Sequence, residues 1–226
     1  MATAPRSVSA QDTAGYVELN LRPLGGHARL LELVGSGKRV LDVGCSSGYL
    51  ARPLVDRGCV VVGIERDAAA AEMARAVCED VLVADVETME LPFEDGSFDV
   101  VLCGDLVEHL REPEAFLARV RRVLAPGGRV VLSTPNVANW AMRLSLLVGR
   151  WQYKDRGILD HTHTHLFTRH TLVETLELAG YRVVELDFTV PVPYVGGPKV
   201  ERLAHALGHV RPQLFAYQFL VSAEPA

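Results

Sequence analysis

Val40-Leu41-Asp42-Val43-Gly44-Cys45-Ser46-Ser47-Gly48-Tyr49-Leu50 carries a short apolar strand through a turn with two glycines and into the start of a helix. Glycines at 44 and 48 let the backbone adopt positive φ and let a ligand come into contact with the main chain. In open α/β sheets such ligands bind beyond the carboxyl ends of the strands, near the point where strand order reverses. Asp42 stands at that strand end, where its carboxylate can face an ammonium group directly or through water.

Working outward, apolar runs at residues 39–43, 59–64, 81–84, 98–103 and 129–133 alternate with helical patterns at 49–57, 68–78 and 113–124. Gly58 stops the first helix, and Pro113 suits the first turn of the third. Pro126-Gly127-Gly128 turns the chain into the last of these strands. Continuous Val/Ile/Leu runs between helices predict a parallel sheet covered on both faces, with right-handed crossovers. The fold class is α/β, a Rossmann-like three-layer sandwich. Residues 1–12 are small and polar and are expected to be disordered. Residues 13–226 form one domain, opening with a helix over 16–34.

After Thr134 the pattern changes. A small helical and loop lid is expected at about 136–167, with an amphipathic helix over 136–150 and an irregular His-rich stretch after it. A helix follows at 168–179, capped by Thr168 and stopped by Gly180. A strand at 181–188, a loop marked by Pro191, Pro193, Gly196, Gly197 and Pro198, and a strand at 214–222 complete the chain.

The length of 226 residues suits one domain with a sizeable core. The net charge of −5 gives no chain-wide attraction for nucleic acid or anionic membrane, so any basic patch has to be local. Cys45, Cys59, Cys78 and Cys103 lack the spacing of a zinc or redox pair and read as reduced core thiols, which points to the cytoplasm. The N-terminus has no apolar stretch of signal-peptide length. The run at 140–148 is broken by Arg143 and is too short to span a bilayer. The expected partners are a small-molecule acceptor and, in an oligomer, a second copy forming a homodimer. Nucleic acid and a membrane span are not expected.

Two more acids stand at strand ends. Glu65 closes the second strand, where it can accept from both ribose hydroxyls of a nucleoside. Asp85 follows the third, where it can accept from an adenine amino group beside the Val86 backbone.

Taken together, these features resemble the class I S-adenosylmethionine-dependent methyltransferases, above all the branch with ubiquinone-type O-methyltransferases and small-molecule methyltransferases. VLDVGCSSGYL (40–50) resembles the first motif, GIERD (63–67) the ribose-binding acid, and VADVETMELPFEDGSFDVVLCGDLVEHL (83–110) the adenine motif and fourth strand. VLAPGGRVVLSTPN (123–136) resembles the strand that follows, and HLFTRHTLVETLELAGYRV (165–183) extends the likeness weakly. The resemblance implies a seven-stranded, mostly parallel sheet with an antiparallel last strand. It implies S-adenosylmethionine held by Asp42, Gly44, Cys45, Gly48, Glu65, Arg66, Asp85, Val86, Cys103 and Asp105. Ser46 departs from the family, which usually has glycine there.

The sulfonium of that cofactor already activates its methyl group, so the enzyme mainly aligns an acceptor. A hydroxyl acceptor also needs a proton removed, by His, a carboxylate or a metal. Asp105, Glu108 and His109 would share one face of a helical turn. There they could bind a divalent Mg, Mn or Zn ion or merely support the pocket. The ubiquinone-type enzymes resemble this segment with an E-x-x-E-H pattern implicated in metal binding. Asp160-His-Thr-His-Thr-His-Leu-Phe167 offers His163 and His165 as bases or hydrogen-bond partners, with His165 favoured beside its apolar anchor; holding the loop is the alternative. Trp140, Trp151 and Tyr153 suit an acceptor with a ring or sugar; the alternative is that Trp140, Leu144 and Leu147 form a helix face packed on the core, which Leu144 and Leu147 suit better than Trp151 does. Gly149 and Gly157 could act as hinges. The expected reaction is methyl transfer to a small-molecule oxygen. Transfer to nitrogen or carbon, an NAD(P)-dependent oxidoreductase and a non-catalytic subunit are the alternatives. No G-x-G-x-x-G supports the oxidoreductase, and the three acids argue against a subunit without ligand.

Overall fold

The computed structural model describes residues 19, 21–22, 24–190, 205–206 and 208–226. The tail over 1–12 and the loop with Pro191, Pro193, Gly196, Gly197 and Pro198 lie outside the described residues. The elements in chain order are α1 (Gly26–Val34), β1 (Arg39–Val43), α2 (Ala51–Asp56), β2 (Val60–Glu65), α3 (Ala68–Ala74), β3 (Asp80–Val83) and β4 (Phe98–Gly104). After these come α4 (Pro113–Val120), β5 (Leu124–Pro135), α5 (Trp140–Leu147), α6 (Arg169–Leu178), β6 (Tyr181–Thr189), a short helix Pro212–Phe215 and β7 (Gln218–Pro225).

Seven strands form one sheet in the order β3-β2-β1-β4-β5-β7-β6. β1 pairs in parallel with both β2 and β4, and β7 runs antiparallel to β5 and β6. The expected fold, including the antiparallel last strand, is therefore present. The order reverses between β1 and β4, so a crevice opens at their carboxyl ends.

Alternation along each strand sends side chains to two cores. Leu41, Val43, Val101 and Leu132 face Phe116, Leu117 and Val120 of α4 and Leu172 and Leu176 of α6. Val40, Val100, Leu102 and Val131 face Leu30, Leu31 and Val34 of α1, Leu54 of α2 and Ala71 and Ala74 of α3. Helices on both faces explain why the strands read as continuous apolar runs. All four cysteines are buried and unpaired.

Element limits differ from the sequence reading where turn chemistry intervenes. The first predicted helix begins at Ala51 rather than 49, because Ser46 and Gly48 hold positive φ of 49° and 75°. The helix predicted over 113–124 ends at Val120 and tightens into a 3-10 turn, Arg121–Val123. The predicted turn at Pro126-Gly127-Gly128 is absorbed into β5 as an irregularity, with a register shift against Phe98 and Val100. The predicted strand at 214–222 begins only at Gln218, since Pro212 starts a helical turn before it. The N-terminal helix begins at Gly26, and the lid helix contracts to Trp140–Leu147 with Asn139 as its cap.

Candidate cofactor and acceptor site

Main-chain bonds shape the turn after β1. The N–H groups of Gly44 and Cys45 both donate to the Ile64 carbonyl, at 2.8 and 3.1 Å, which pins the turn to β2. Gly48 packs so closely on α3 that a Cβ there would lie 3.1 Å from Ala74 Cα. Its smallness thus serves helix packing as well as φ. The Cys45 side chain is buried beneath Gly63, so it offers a ligand only its backbone. Cys103 lies wholly within the core and is limited in the same way.

Asp42 is fully buried at the end of β1, and its Oδ2 has no hydrogen-bond partner among the described residues. Burial, reinforced by the charge of Glu65, pushes its pKa up to about 7. A buried carboxyl oxygen without a partner is costly, and a cationic ligand group would satisfy it. Glu65 accepts from Ser46 N–H and Asp67 N–H, both at 2.9 Å, which aims its carboxylate across the turn. Asp85 is fixed by accepting from Glu87 N–H at 2.9 Å.

Glu65 and Asp85 border one cleft of about 240 Å³, lined also by Gly44, Arg66 and Val86; Asp42, buried near the end of β1, is not among the lining residues. Leu106, His109, Leu110 and Thr162 close it from the β4 side. Apolar Ile64, Leu106 and Leu110 offer faces for a base, and the carboxylates offer acceptors for hydroxyl and amino groups.

Asp105 does not join Glu108 and His109 on one face. It sits in the left-handed region at φ 48°, before the 3-10 turn Val107–His109 rather than inside it. That backbone turns its carboxylate toward β5 and β7, where Ser133 Oγ donates to Oδ1 at 2.8 Å and Gln218 Nε2 donates to the same oxygen. Its charge reaches Tyr49 and Tyr217, whose hydroxyl pKa values are raised by burial first and then by Asp105. His27 packs on the Tyr49 ring at 5.3 Å. Sequence reasoning missed His27, Tyr49, Tyr217 and Gln218 as neighbours of Asp105. Tyr49 could have been suspected from its place beside the glycine turn, but nothing local flags Gln218, 113 residues away.

Glu108, His109 and His163 are brought together instead, with potential ligand atoms all within 4.8 Å of one another. Glu108 is buried and neither carboxyl oxygen has a hydrogen-bond partner. Burial first, then the charge of Asp105, holds its pKa well above the usual carboxylate range. His109 Nδ1 faces Thr162 Oγ1 at 3.1 Å, and His163 Nδ1 faces the Ile158 carbonyl at 3.1 Å. Each ring therefore keeps Nε2 for another partner. Burial and the adjacent His163 lower the His109 pKa, which favours the neutral imidazole. His165 Nδ1 faces the Leu110 carbonyl at 2.9 Å and its ring stacks on Phe167. Of the three candidate histidines His109 lines the cleft, and His163 and His165 do not.

Residues 18–186 match a family model described as a methyltransferase domain. The chain belongs to the class I S-adenosylmethionine-dependent methyltransferase family. It is 33% identical over 150 residues to a ubiquinone biosynthesis O-methyltransferase of Acinetobacter baylyi, covering 64% of this chain and 60% of that one. It is 37% identical over 109 residues to the Pseudomonas aeruginosa protein of the same name, covering 45% and 46%. The matched segments thus fall short of two thirds of these relatives' length. An S-adenosylmethionine-dependent methyltransferase structure from Archaeoglobus fulgidus superposes with a TM-score of 0.62 at 20% identity, over 87% of this chain and 91% of that one. One from Mesorhizobium loti gives 0.61 at 20%, over 87% and 94%. At such identity these two establish the fold.

Proposed function

We propose that this methyltransferase transfers the methyl group of S-adenosylmethionine to a hydroxyl oxygen of a small molecule. The observation that carries the reading is the buried, unpartnered Asp42 carboxyl at the end of β1, two residues before Gly44, which borders one cleft together with Glu65 and Asp85. Asp42 would receive the ammonium of the methionine moiety, Glu65 the ribose hydroxyls, and Asp85 with Val86 the adenine edge. Gly44, Cys45, Gly48 and Cys103 would supply backbone, Arg66 would cover the rim, and Asp105 would stand at the acceptor end.

When bound, the cofactor supplies the activated methyl group. The chain's task is to exclude water, orient the acceptor and take a proton from its hydroxyl. For the last step we assign His109, which lines the cleft with its Nε2 uncommitted, supported by His163 packed against it at 4.8 Å between ring centroids. The names of the curated relatives support oxygen as the acceptor atom. The unpaired buried thiols support a cytoplasmic setting.

Glu108, His109 and His163 also suit a divalent ion, with one carboxylate and two imidazoles whose Nδ1 atoms are held by the loop. Such an ion would lower the pKa of a bound hydroxyl. His163 here takes the place that sequence gave to Asp105.

The test is incubation with methyl-tritiated S-adenosylmethionine and panels of phenols, sugars and amines, with each product isolated by chromatography and its label counted. Label on hydroxyl acceptors supports the reading, and label on amines alone overturns the choice of oxygen. For the ion, calorimetric titration with Mn²⁺ or Zn²⁺ should give one site that His163→Ala removes. EDTA should then stop turnover while leaving S-adenosylmethionine affinity unchanged. Turnover insensitive to EDTA would remove the ion and leave the methyltransferase reading intact.

A further inference from the structure

α5 has no buried residue. Its apolar side chains point to water, with Trp140 50%, Leu144 53% and Leu147 82% exposed, and Val148 61% exposed just after it. These residues recur at i, i+4, i+7 and i+8, the spacing of a helix stripe that normally faces a core. Leu146, Trp151 and Tyr153 extend the exposed apolar surface. Apolar residues exposed singly are ordinary, but a contiguous patch of this kind marks an interaction surface.

Charge around the patch indicates what covers it. Between Trp140 and Arg156 the chain carries Arg143, Arg150, Lys154 and Arg156 against the single acid Asp155, within a chain of net charge −5. None of these four cations forms an ion pair among the described residues. Leu, Trp and Tyr ringed by Lys and Arg match a helix lying in a lipid interface, with the aromatic rings at headgroup depth. The base of α5 is firmly held. Asn136 and Asn139 are buried, and both amides donate to the Ala216 carbonyl at 2.9 Å. These bonds tie the chain at the start of α5 to the stretch before β7.

We propose that α5 and the segment through Arg156 dock the protein on the surface of a bilayer bearing anionic headgroups. No helix among the described residues is long and apolar enough to cross a membrane, so the contact is peripheral. The proposal is independent of which atom accepts the methyl group.

The test is co-sedimentation of the full chain with phosphatidylcholine vesicles, with and without phosphatidylglycerol, alongside gel filtration. The wild type should pellet with the phosphatidylglycerol vesicles and be released by salt. Since each basic residue near an anionic surface is worth roughly fivefold in binding, Arg150→Gln/Lys154→Gln should weaken binding by about 25-fold. Leu144→Ser/Leu147→Ser should weaken it at least about tenfold, and with these side chains exposed its circular dichroism and melting should match the wild type. Wild-type protein left in the supernatant would overturn the proposal, as would double variants that bind as tightly as the wild type. A dimer that Leu144→Ser/Leu147→Ser dissociates, with no vesicle binding, would also overturn it and assign the face to a second copy.

Discussion

Asp42 in β1 and Ser46 in the turn after it each carry a cost that a substitution can measure. With a folded pKa of about 7 against 3.8 in the unfolded chain, Asp42 keeps a proton on folding that the unfolded chain loses. Its contribution to stability is therefore present below pH 4 and lost as pH rises toward 7. Asp42→Asn should melt higher than the wild type at pH 8, by up to about 4 kcal/mol, with the gap closing near pH 4. The same variant should bind S-adenosylmethionine more weakly by calorimetry. At Ser46, the left-handed backbone costs a non-glycine residue about 1–2 kcal/mol. Glycine's extra unfolded-state entropy takes back part of this. Ser46→Gly should then stabilise the chain by about 0.5 kcal/mol in urea denaturation. Glu65→Ala and Asp85→Ala should each weaken cofactor binding by at least about 1 kcal/mol, and unchanged affinity in both would overturn the site. These acids were legible in the sequence because each closes an apolar strand. The neighbours of Asp105 were not, because Tyr217 and Gln218 reach it only through the pairing of β7 with β5.

Caps set the limits of the helices after β5. Thr168 Oγ1 accepts from Thr171 N–H at 3.2 Å, and Thr171 Oγ1 accepts from Thr168 N–H at 2.9 Å. Thr168→Ala should cost about 1 kcal/mol in thermal melts, without altering cofactor affinity. The Thr168 cap and the Gly180 stop were readable from local chemistry alone, and α6 lies within a residue of its expected bounds. α5 was harder. Its apolar spacing predicted a longer helix packed on the core, yet the structure turns that stripe outward. Periodicity identifies an apolar face but does not say which way it points.

Across the molecule, the seven strands and the antiparallel last one were implied only by resemblance to the family, whereas strand–helix alternation read directly as α/β. No pattern in the sequence announces the ties between distant segments. Arg29 in α1 pairs with Asp187 in β6, and that carboxylate is buried. Arg29→Leu should destabilise the chain by about 3 kcal/mol in urea denaturation, because it leaves the acid unpaired. Adding Asp187→Leu should recover most of that loss, and failure to recover would show that the pair does more than neutralise charge.

The Ala216 carbonyl, which takes amide protons from both Asn136 and Asn139, constrains where movement can begin. With the root of α5 riveted to the stretch before β7, the whole insertion cannot swing as one flap. Gly149 and Gly157, at φ 71° and 96°, bracket a short arm that is itself fastened, by Ser145 Oγ donating to the Arg150 carbonyl and by Lys154 N–H donating to the Leu159 carbonyl. Lifting that arm would have to break these bonds first, with the root of α5 left in place.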